Sequence, residues 1–419
     1  MPDLFGVVDR TERQEESVQK WVNNKLRGTL VLPTGFGKTR CGLRAISRFL
    51  NKNPSRKVLV VVPSDPIKIQ WISELAKWNL NADVVTIGIA SKTEMSCDML
   101  VLDEIHKYAA PQAFKMFTNV KYKIILGLTA TFNRVDGRDA LIAEHAPVID
   151  TISLQEAIQN NWLSKYVEYK VLIEVDDIED YRKIDREFQE HYSYFNRDFN
   201  LAMNCHTDWK IRYQLAKERA VNPDKVTEIN RQIIQHAAGF NRTLQARKKF
   251  IYYHPKKLEI ANLILEHRQD KKCITFSSVV AVADKIKYGK TYSGRDTGKN
   301  GKAVLEEFKA KKTGVLNTVM RLNEGFNDPS ISVGIFLGFN SSANASKQRL
   351  GRIIRLSNEH GVKEVFTLVL RHTQDEIWFD KSTSGRDYIT IDERELINVL
   401  EGKEFTPMIN KKSSIMFTA

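Results

Sequence analysis

Short, unbroken apolar runs alternate with stretches of helical period along most of the chain. TLVL (29–32), VLVVV (58–62), VVTIGI (84–89), MLVL (99–102) and KIILGLT (123–129) read as strands. Their hydrophobicity is continuous rather than alternating, which predicts a parallel sheet covered on both faces. Segments 37–50 and 66–78 have helical length and spacing, so residues 1–160 are expected to form a doubly wound α/β domain. A second series starts near residue 167 with YVEYKVLIEV and continues through CITF (273–276), VLNTV (315–319), VGIFLG (333–338) and VFTLVL (365–370). It predicts a second α/β domain over 161–419. Between its first two strands, residues 178–250 are rich in Glu, Gln, Lys, Arg and aromatics with one proline, Pro223, and read as inserted helices. No repeat of solenoid period and no low-complexity linker is present. The Gly- and Lys-rich stretch 288–302 has the composition of a flexible loop.

Bulk composition narrows the class without deciding it. At 419 residues the chain exceeds one ordinary core, in line with two domains. Lys and Arg number 64 against 51 acids, a net charge of +13, which a polyanionic partner or plain solubility explains equally well. Cys41, Cys97, Cys205 and Cys273 lie far apart with no CxxC pair, which argues against a structural zinc, an iron–sulfur cluster or a disulfide framework. The N-terminus lacks the basic head and apolar run of a signal peptide, and no stretch of about 18 apolar residues occurs. A reduced, cytoplasmic protein with no membrane partner is expected, in a bacterium or a phage-infected host.

Three strings carry the chemistry. PTGFGKT (33–39) follows a strand and opens a helix. Gly35 and Gly37 let backbone N–H groups turn toward phosphate oxygens, Thr34 shares the loop, Lys38 would meet the β- and γ-phosphates, and the Thr39 hydroxyl would face Mg²⁺. Leu32 stands where the strict GxxxxGK[ST] pattern has its first glycine. DEIH (103–106) ends a strand, so its acids emerge at the sheet's carboxyl edge, where ligands bind. Asp103 would hold Mg²⁺ through water, Glu104 would polarise the attacking water, and His106 would report nucleotide state to a neighbouring motif. LGLTAT (126–131) ends in Thr129 and Thr131, which either couple the acids to the second domain or cap the next helix. QRLGRIIR (348–355) places Arg352 and Arg355 three apart, one helical turn, where both can face a γ-phosphate or simply solvent.

In this order the strings resemble helicase superfamily 2, and within it the DExH branch of XPB-type repair helicases and UvsW-type phage helicases. The resemblance covers nearly the whole chain. It implies two tandem RecA-like domains, the second carrying the helical insertion, and an ATP- and Mg²⁺-dependent enzyme. Gln14 matches the adenine-reading glutamine, and Gln348 opens the last motif. VVVPSDPIKIQW (60–71), CITFSSVVAVADKI (273–286) and LNTVMRLNEGFNDPSIS (316–332) resemble motifs Ia, IV and V. On that pattern Ser64, Ser277 and Thr318 would touch the backbone of the tracking strand. Two positions depart from it: Asn327 stands where motif V carries an acid, and Thr11 where an arginine often precedes the glutamine.

The resemblance implies a 3′ to 5′ DNA helicase acting on forked or branched DNA, in repair or recombination. DNA is expected before RNA, because DEIH and Gln348 differ from the DEAD-box pattern. A duplex translocase without strand separation, an RNA helicase and a nucleotide-gated clamp are the alternatives; a monomer is expected and partner proteins are unspecified. Residues 205–250 carry ten Lys and Arg against four acids. Arg242, Arg247 and Lys248 are therefore expected to contact the fork. The run Phe188, Tyr192, Tyr194, Phe195, Phe199 could stack on bases, but its near-helical spacing favours core.

Overall fold

The structure, a computed structural model, describes residues 9–132, 137–293, 299–319, 326, 328–339, 343–356, 361–383, 386–404 and 408–410. Asn327 of the motif V stretch lies outside the described residues, as do residues 133–136 after LGLTAT and 294–298 of the Gly- and Lys-rich stretch.

In the first lobe β1 (Arg27–Val31), β2 (Val58–Val62) and β3 (Asp83–Thr86) are followed by β4 (Met95–Ser96), β5 (Met99–Asp103), β6 (Val120–Lys121), β7 (Ile124–Thr129) and β8 (Val148–Thr151). Six of them form one sheet in the order β3-β2-β5-β7-β1-β8, parallel at every pairing, while β4 and β6 make a separate parallel pair. The apolar runs give fully buried strands, as in VLVVV of β2 and MLVLD of β5. Parallel order brings the carboxyl ends of β1, β2, β5 and β7 to one edge. VVTIGI is not one strand: β3 stops at Thr86 and Ile87–Ala90 turns into a short helix. β8, too polar in VIDT to read as a buried strand, is held by Asp150, which accepts from Arg13 (2.7 Å), Ser17 (2.7 Å) and Lys20 (2.7 Å) on the first helix, Arg10–Asn23.

The second sheet contains β9 (Tyr166–Ile173), β10 (Lys272–Ser277), β11 (Lys290–Tyr292), β12 (Gly314–Val319), β13 (Val333–Phe336), β14 (Lys363–Leu370), β15 (Tyr388–Ile391) and β16 (Met408–Asn410). Its order is β11-β12-β10-β13-β14-β9-β15-β16, parallel except for the β15–β16 pair. Part of the expected loop at 288–302 is thus a strand: Thr291 pairs with Asn317 of β12.

The insertion follows β9 and consists of helices Ile178–Ser193, Phe199–Thr207, Trp209–Arg219 and Val226–Tyr253. It has its own core of Phe188, Phe195, Ile233, Ala237, Phe240 and Leu244. The last helix, 28 residues long, then runs into the lobe itself, where Ile251 joins the core beneath β9 and β14. The aromatic run is therefore mainly packing, with Phe188 and Phe195 buried and Phe199 at the surface.

Candidate nucleotide and nucleic-acid site

The phosphate loop, the DEIH acids and Thr129 are each placed by a strand end. After β1 the chain turns through Thr34–Gly37 and enters the helix Lys38–Lys52. Gly35 (φ +94°) and Gly37 (φ +111°) occupy the left-handed region that side chains avoid. A Cβ at Gly37 would also lie 2.5 Å from Gln14 Nε2, which donates to Phe36 O at 2.8 Å. Gln14 thus braces the loop, while its buried amide oxygen has no partner among the described residues. Burying such an acceptor is costly unless a ligand donor meets it.

At the end of β5, Asp103 is buried: Oδ2 accepts from Trp71 Nε1 at 2.8 Å and Oδ1 accepts from Glu104 N at 3.0 Å. Burial, then the neighbouring Glu104 charge, push its carboxyl up to about 6. Glu104 lies at φ 50°, a left-handed conformation that is strained for a non-glycine residue and found at functional sites. Burial works upward on its carboxyl as well, but Lys38 and His106 outweigh it and hold Glu104 below its ordinary range. Lys38 Nζ stands 3.5 Å from Glu104 Oε1.

Thr129, at the end of β7, ties this cluster together. Its one hydroxyl proton goes to Thr131 O at 2.6 Å, so His106 Nδ1, 2.8 Å away, is the donor to Thr129 Oγ1. Thr131 N donates to the same oxygen at 3.2 Å, and His106 Nδ1 lies 3.4 Å from Glu104 Oε2. Thr129 thus joins His106 and Thr131 through hydrogen bonds, with Glu104 in ionic reach of the histidine.

The second lobe reaches this edge through the helix Ala343–Ile353 and the connector Trp162–Ser164. Ser164 N donates to Ile354 O at 2.9 Å and Ser164 Oγ to Arg355 O at 3.0 Å. Phe36 of the phosphate loop packs edge-on against Trp162, centroids 5.3 Å apart. Gly351 touches Thr34 so closely that a Cβ there would overlap it, and a Cβ on Gly35 would lie 3.3 Å from Arg355 Cγ. Arg355 therefore sits at the phosphate loop, where burial lowers its guanidinium to about 10. Arg352, one turn earlier, donates to Phe326 O at 2.8 Å inside the second lobe. Gln348 is half-buried on the same helix, and Thr39 half-buried in the first turn after the loop.

The expected nucleic-acid contacts divide. Ser64 heads the helix Asp65–Lys77 without capping it, and its hydroxyl has no partner among the described residues. Ser277 and Thr318 are buried and satisfied within the lobe, against expectation: Ser277 Oγ donates to Val279 O at 2.9 Å and Thr318 Oγ1 to Thr275 O at 2.6 Å. Ser277 closes its own turn, and Thr318 bonds across to the neighbouring strand β10. Arg247 is also corrected: it is 5% exposed, pairs with Asp185 at 2.9 Å, donates to Gln374 and covers the Phe188 ring. Lys248 is half-buried and Arg242 exposed, 4.0 Å from Glu187. Sequence reasoning missed a different face of the insertion. Trp209 (63% exposed), Lys210, Tyr213 (44%) and Lys217 line one side of the helix Trp209–Arg219, with Lys217 Nζ 4.7 Å from the Tyr213 ring. The spacing 209–213–217 was the available signal.

The residues fit the group their pattern implies. The loop presents backbone N–H groups and one lysine to an anion, and the unpartnered Gln14 oxygen suits a purine amino group. Asp103 and Thr39 offer hard oxygen donors of the kind Mg²⁺ takes. Among the described residues no cluster of three His, Cys, Asp or Glu could hold a metal by itself, and no helix is long and apolar enough to cross a membrane.

Comparison with known proteins agrees with this geometry. Residues 8–96 match the family described as type III restriction enzyme, res subunit, and residues 256–357 match the helicase conserved C-terminal domain. Over 399 residues the chain is 23% identical to the DNA 3′-5′ translocase XPB2 of Sulfurisphaera tokodaii, covering 89% of this chain and 84% of the relative. A protein of African swine fever virus (isolate Pig/Kenya/KEN-50/1950), provisionally named ATP-dependent RNA helicase QP509L, is 34% identical over 164 residues, 32% of this chain and 31% of the viral one. The Pyrococcus furiosus Hef helicase domain superposes with a TM-score of 0.52 at 17% identity, covering 89% of this chain and 99% of that one, and so shares the fold. The chain is a superfamily 2 helicase, an ATP-hydrolysing enzyme of two parallel-sheet lobes. Within that superfamily it is similar to the XPB-like type.

Proposed function

We propose that this helicase is a Mg²⁺-dependent DNA motor that moves 3′ to 5′ and acts on forked or branched DNA. The observation that carries the reading is the closed contact between Thr34–Gly35 of the phosphate loop and Gly351 and Arg355 of the second lobe. A site divided this way lets hydrolysis move one lobe against the other. The roles follow from position, with a boundary between the lobes near residue 160. Gln14 reads the base, Thr34, Gly35, Gly37 and Lys38 hold the phosphates, and Thr39 and Asp103 face the metal, which neutralises phosphate charge when bound. Glu104 orients and deprotonates water and Arg355 meets the γ-phosphate, while Arg352, expected beside it, donates instead to Phe326 O. His106, Thr129 and Thr131 couple the acids to the neighbouring strand.

DNA and polarity are favoured by the name of the archaeal relative, which aligns over most of both chains. RNA is the second reading, favoured by the name of the viral relative over a third of its length. In place of Arg247, the exposed Trp209–Tyr213 face supplies the fork contact: aromatic rings stack on any base, and the flanking lysines meet the backbone. ATP hydrolysis and strand displacement should be measured with single-stranded, duplex and forked DNA and with RNA, on substrates of both polarities. Stimulation by DNA and displacement only from 3′ tails is expected; stimulation by RNA alone would reverse the assignment. Trp209→Ala with Tyr213→Ala should weaken fork binding roughly 10-fold or more, at about 1–3 kcal/mol per stacked base. Unchanged binding would return the insertion to a structural brace.

A further inference from the structure

Trp71, the last residue of the motif Ia stretch, touches the site chemistry without a role assigned to it. It lies on the helix Asp65–Lys77, fully buried, two turns after Ser64. One edge of its ring packs on the phosphate-loop helix, where a Cβ at Gly42 would come within 2.6 Å of it. Its indole N–H donates to Asp103 Oδ2 at 2.8 Å. The donor is therefore wedged between the helix that starts at Lys38 and the acid at the end of β5.

A buried indole N–H needs an acceptor, and the carboxylate could be there only to serve the tryptophan. The fold provides its own control. Trp21, equally buried, satisfies its N–H with a backbone carbonyl, Ile125 O, at 2.9 Å. A carbonyl suffices for an indole, whereas a buried carboxylate is costly and needs fixed donors. Asp103 has two: Trp71 on one oxygen and its neighbour's backbone N–H on the other. Together they fix the rotation of the carboxyl plane, and with it the direction of the lone pairs left free for a ligand.

We propose that Trp71 is the positioning residue for Asp103, its N–H fixing the carboxylate in the orientation that receives Mg²⁺ with the nucleotide. This rests on the assignment of Asp103 to the metal. Outer donors of this kind typically change metal affinity or activity by roughly 10–100-fold when lost.

The test uses the full chain with Trp71 replaced by its sulfur isostere 3-benzothienylalanine, which keeps the ring and removes only the N–H, and separately Trp71→Phe. Binding of a fluorescent ATP analogue is titrated against Mg²⁺, alongside binding in EDTA and the melting temperature. The half-saturating Mg²⁺ should rise roughly 10-fold in the isostere. Nucleotide binding without metal should stay within about two-fold, because the phosphate loop is untouched. An isostere with the parental Mg²⁺ midpoint, whatever its melting temperature, reduces Trp71 to a core side chain and overturns the proposal. Should Trp71→Phe fail to fold, the isostere alone decides. If the parent protein shows no Mg²⁺-dependent nucleotide binding, or Lys38→Ala binds and hydrolyses as the parent does, the site assignment itself fails, a result distinguishable from the first.

Discussion

The phosphate edge of the first lobe and the helical insertion of the second both announced themselves as charged, yet they are built in opposite ways. At the phosphate edge the first lobe's charges are fixed by strands that end there. Lys38, Glu104, His106 and Thr129 form one connected cluster because β1, β5 and β7 are parallel and in register. In the insertion the charges ride on helices, where five residues of sequence separate opposite environments: Arg242 is exposed and Arg247 is buried against Phe188 and Asp185. A strand end assigns direction to a side chain; a basic composition does not.

The sharpest way to break this contrast is at the phosphate edge. Lys38→Ala should abolish ATP hydrolysis while nucleic-acid binding stays within a few-fold, since the lysine faces the nucleotide and not the basic surfaces. Glu104→Gln should retain ATP and fail to hydrolyse it, because the amide keeps the shape and loses the base. Steady-state hydrolysis and nucleotide retention check both, and parental turnover in either variant refutes the cluster's role.

In the insertion the expected effect moves from activity to stability. Arg247→Ala should destabilise the protein by roughly 2 kcal/mol, below the about 3–5 typical of a broken buried pair because Asp185 is a third exposed. Arg242→Ala should be within about 0.5 kcal/mol of the parent. Denaturant unfolding followed at the insertion compares them, and equal costs would erase the distinction drawn here.

A third pair of charges sharpens the comparison by pH. Burial would raise Asp150, but its bonds to Arg13, Lys20 and Ser17 win and bring it down to about 2 from 3.8. A carboxyl lowered on folding adds stability in full above its unfolded value. That contribution, about 2 kcal/mol, is lost as pH falls from near 4 through 2. Asp150→Asn should be less stable at neutral pH and lose less stability across that window; a parallel pH profile would refute the assignment.

How far the sequence could be read follows the same division. The runs VLVVV and MLVL marked their strands because a strand buried on both faces must be apolar throughout. β8 and β11 escaped because VIDT and KTY sit at or near sheet edges and are polar. The phosphate loop and DEIH were legible because their chemistry needs contiguous residues. Trp71 was not, since its partner Asp103 lies 32 residues away and only the packing of a helix on the sheet brings them together. Ser277 and Thr318 show the converse, where a motif position is present but its hydroxyl is spent on a carbonyl of its own lobe.

One catalytic site completed across two lobes sets the behaviour of the whole motor. Arg355→Ala tests it most directly, measured as the kcat of ATP hydrolysis with saturating forked DNA. The kcat should fall by about 10³ or more, as for loss of an arginine finger, with nucleotide binding nearly unchanged because the first lobe makes most of those contacts. A kcat equal to the parent's would contradict it and confine catalysis to the first lobe.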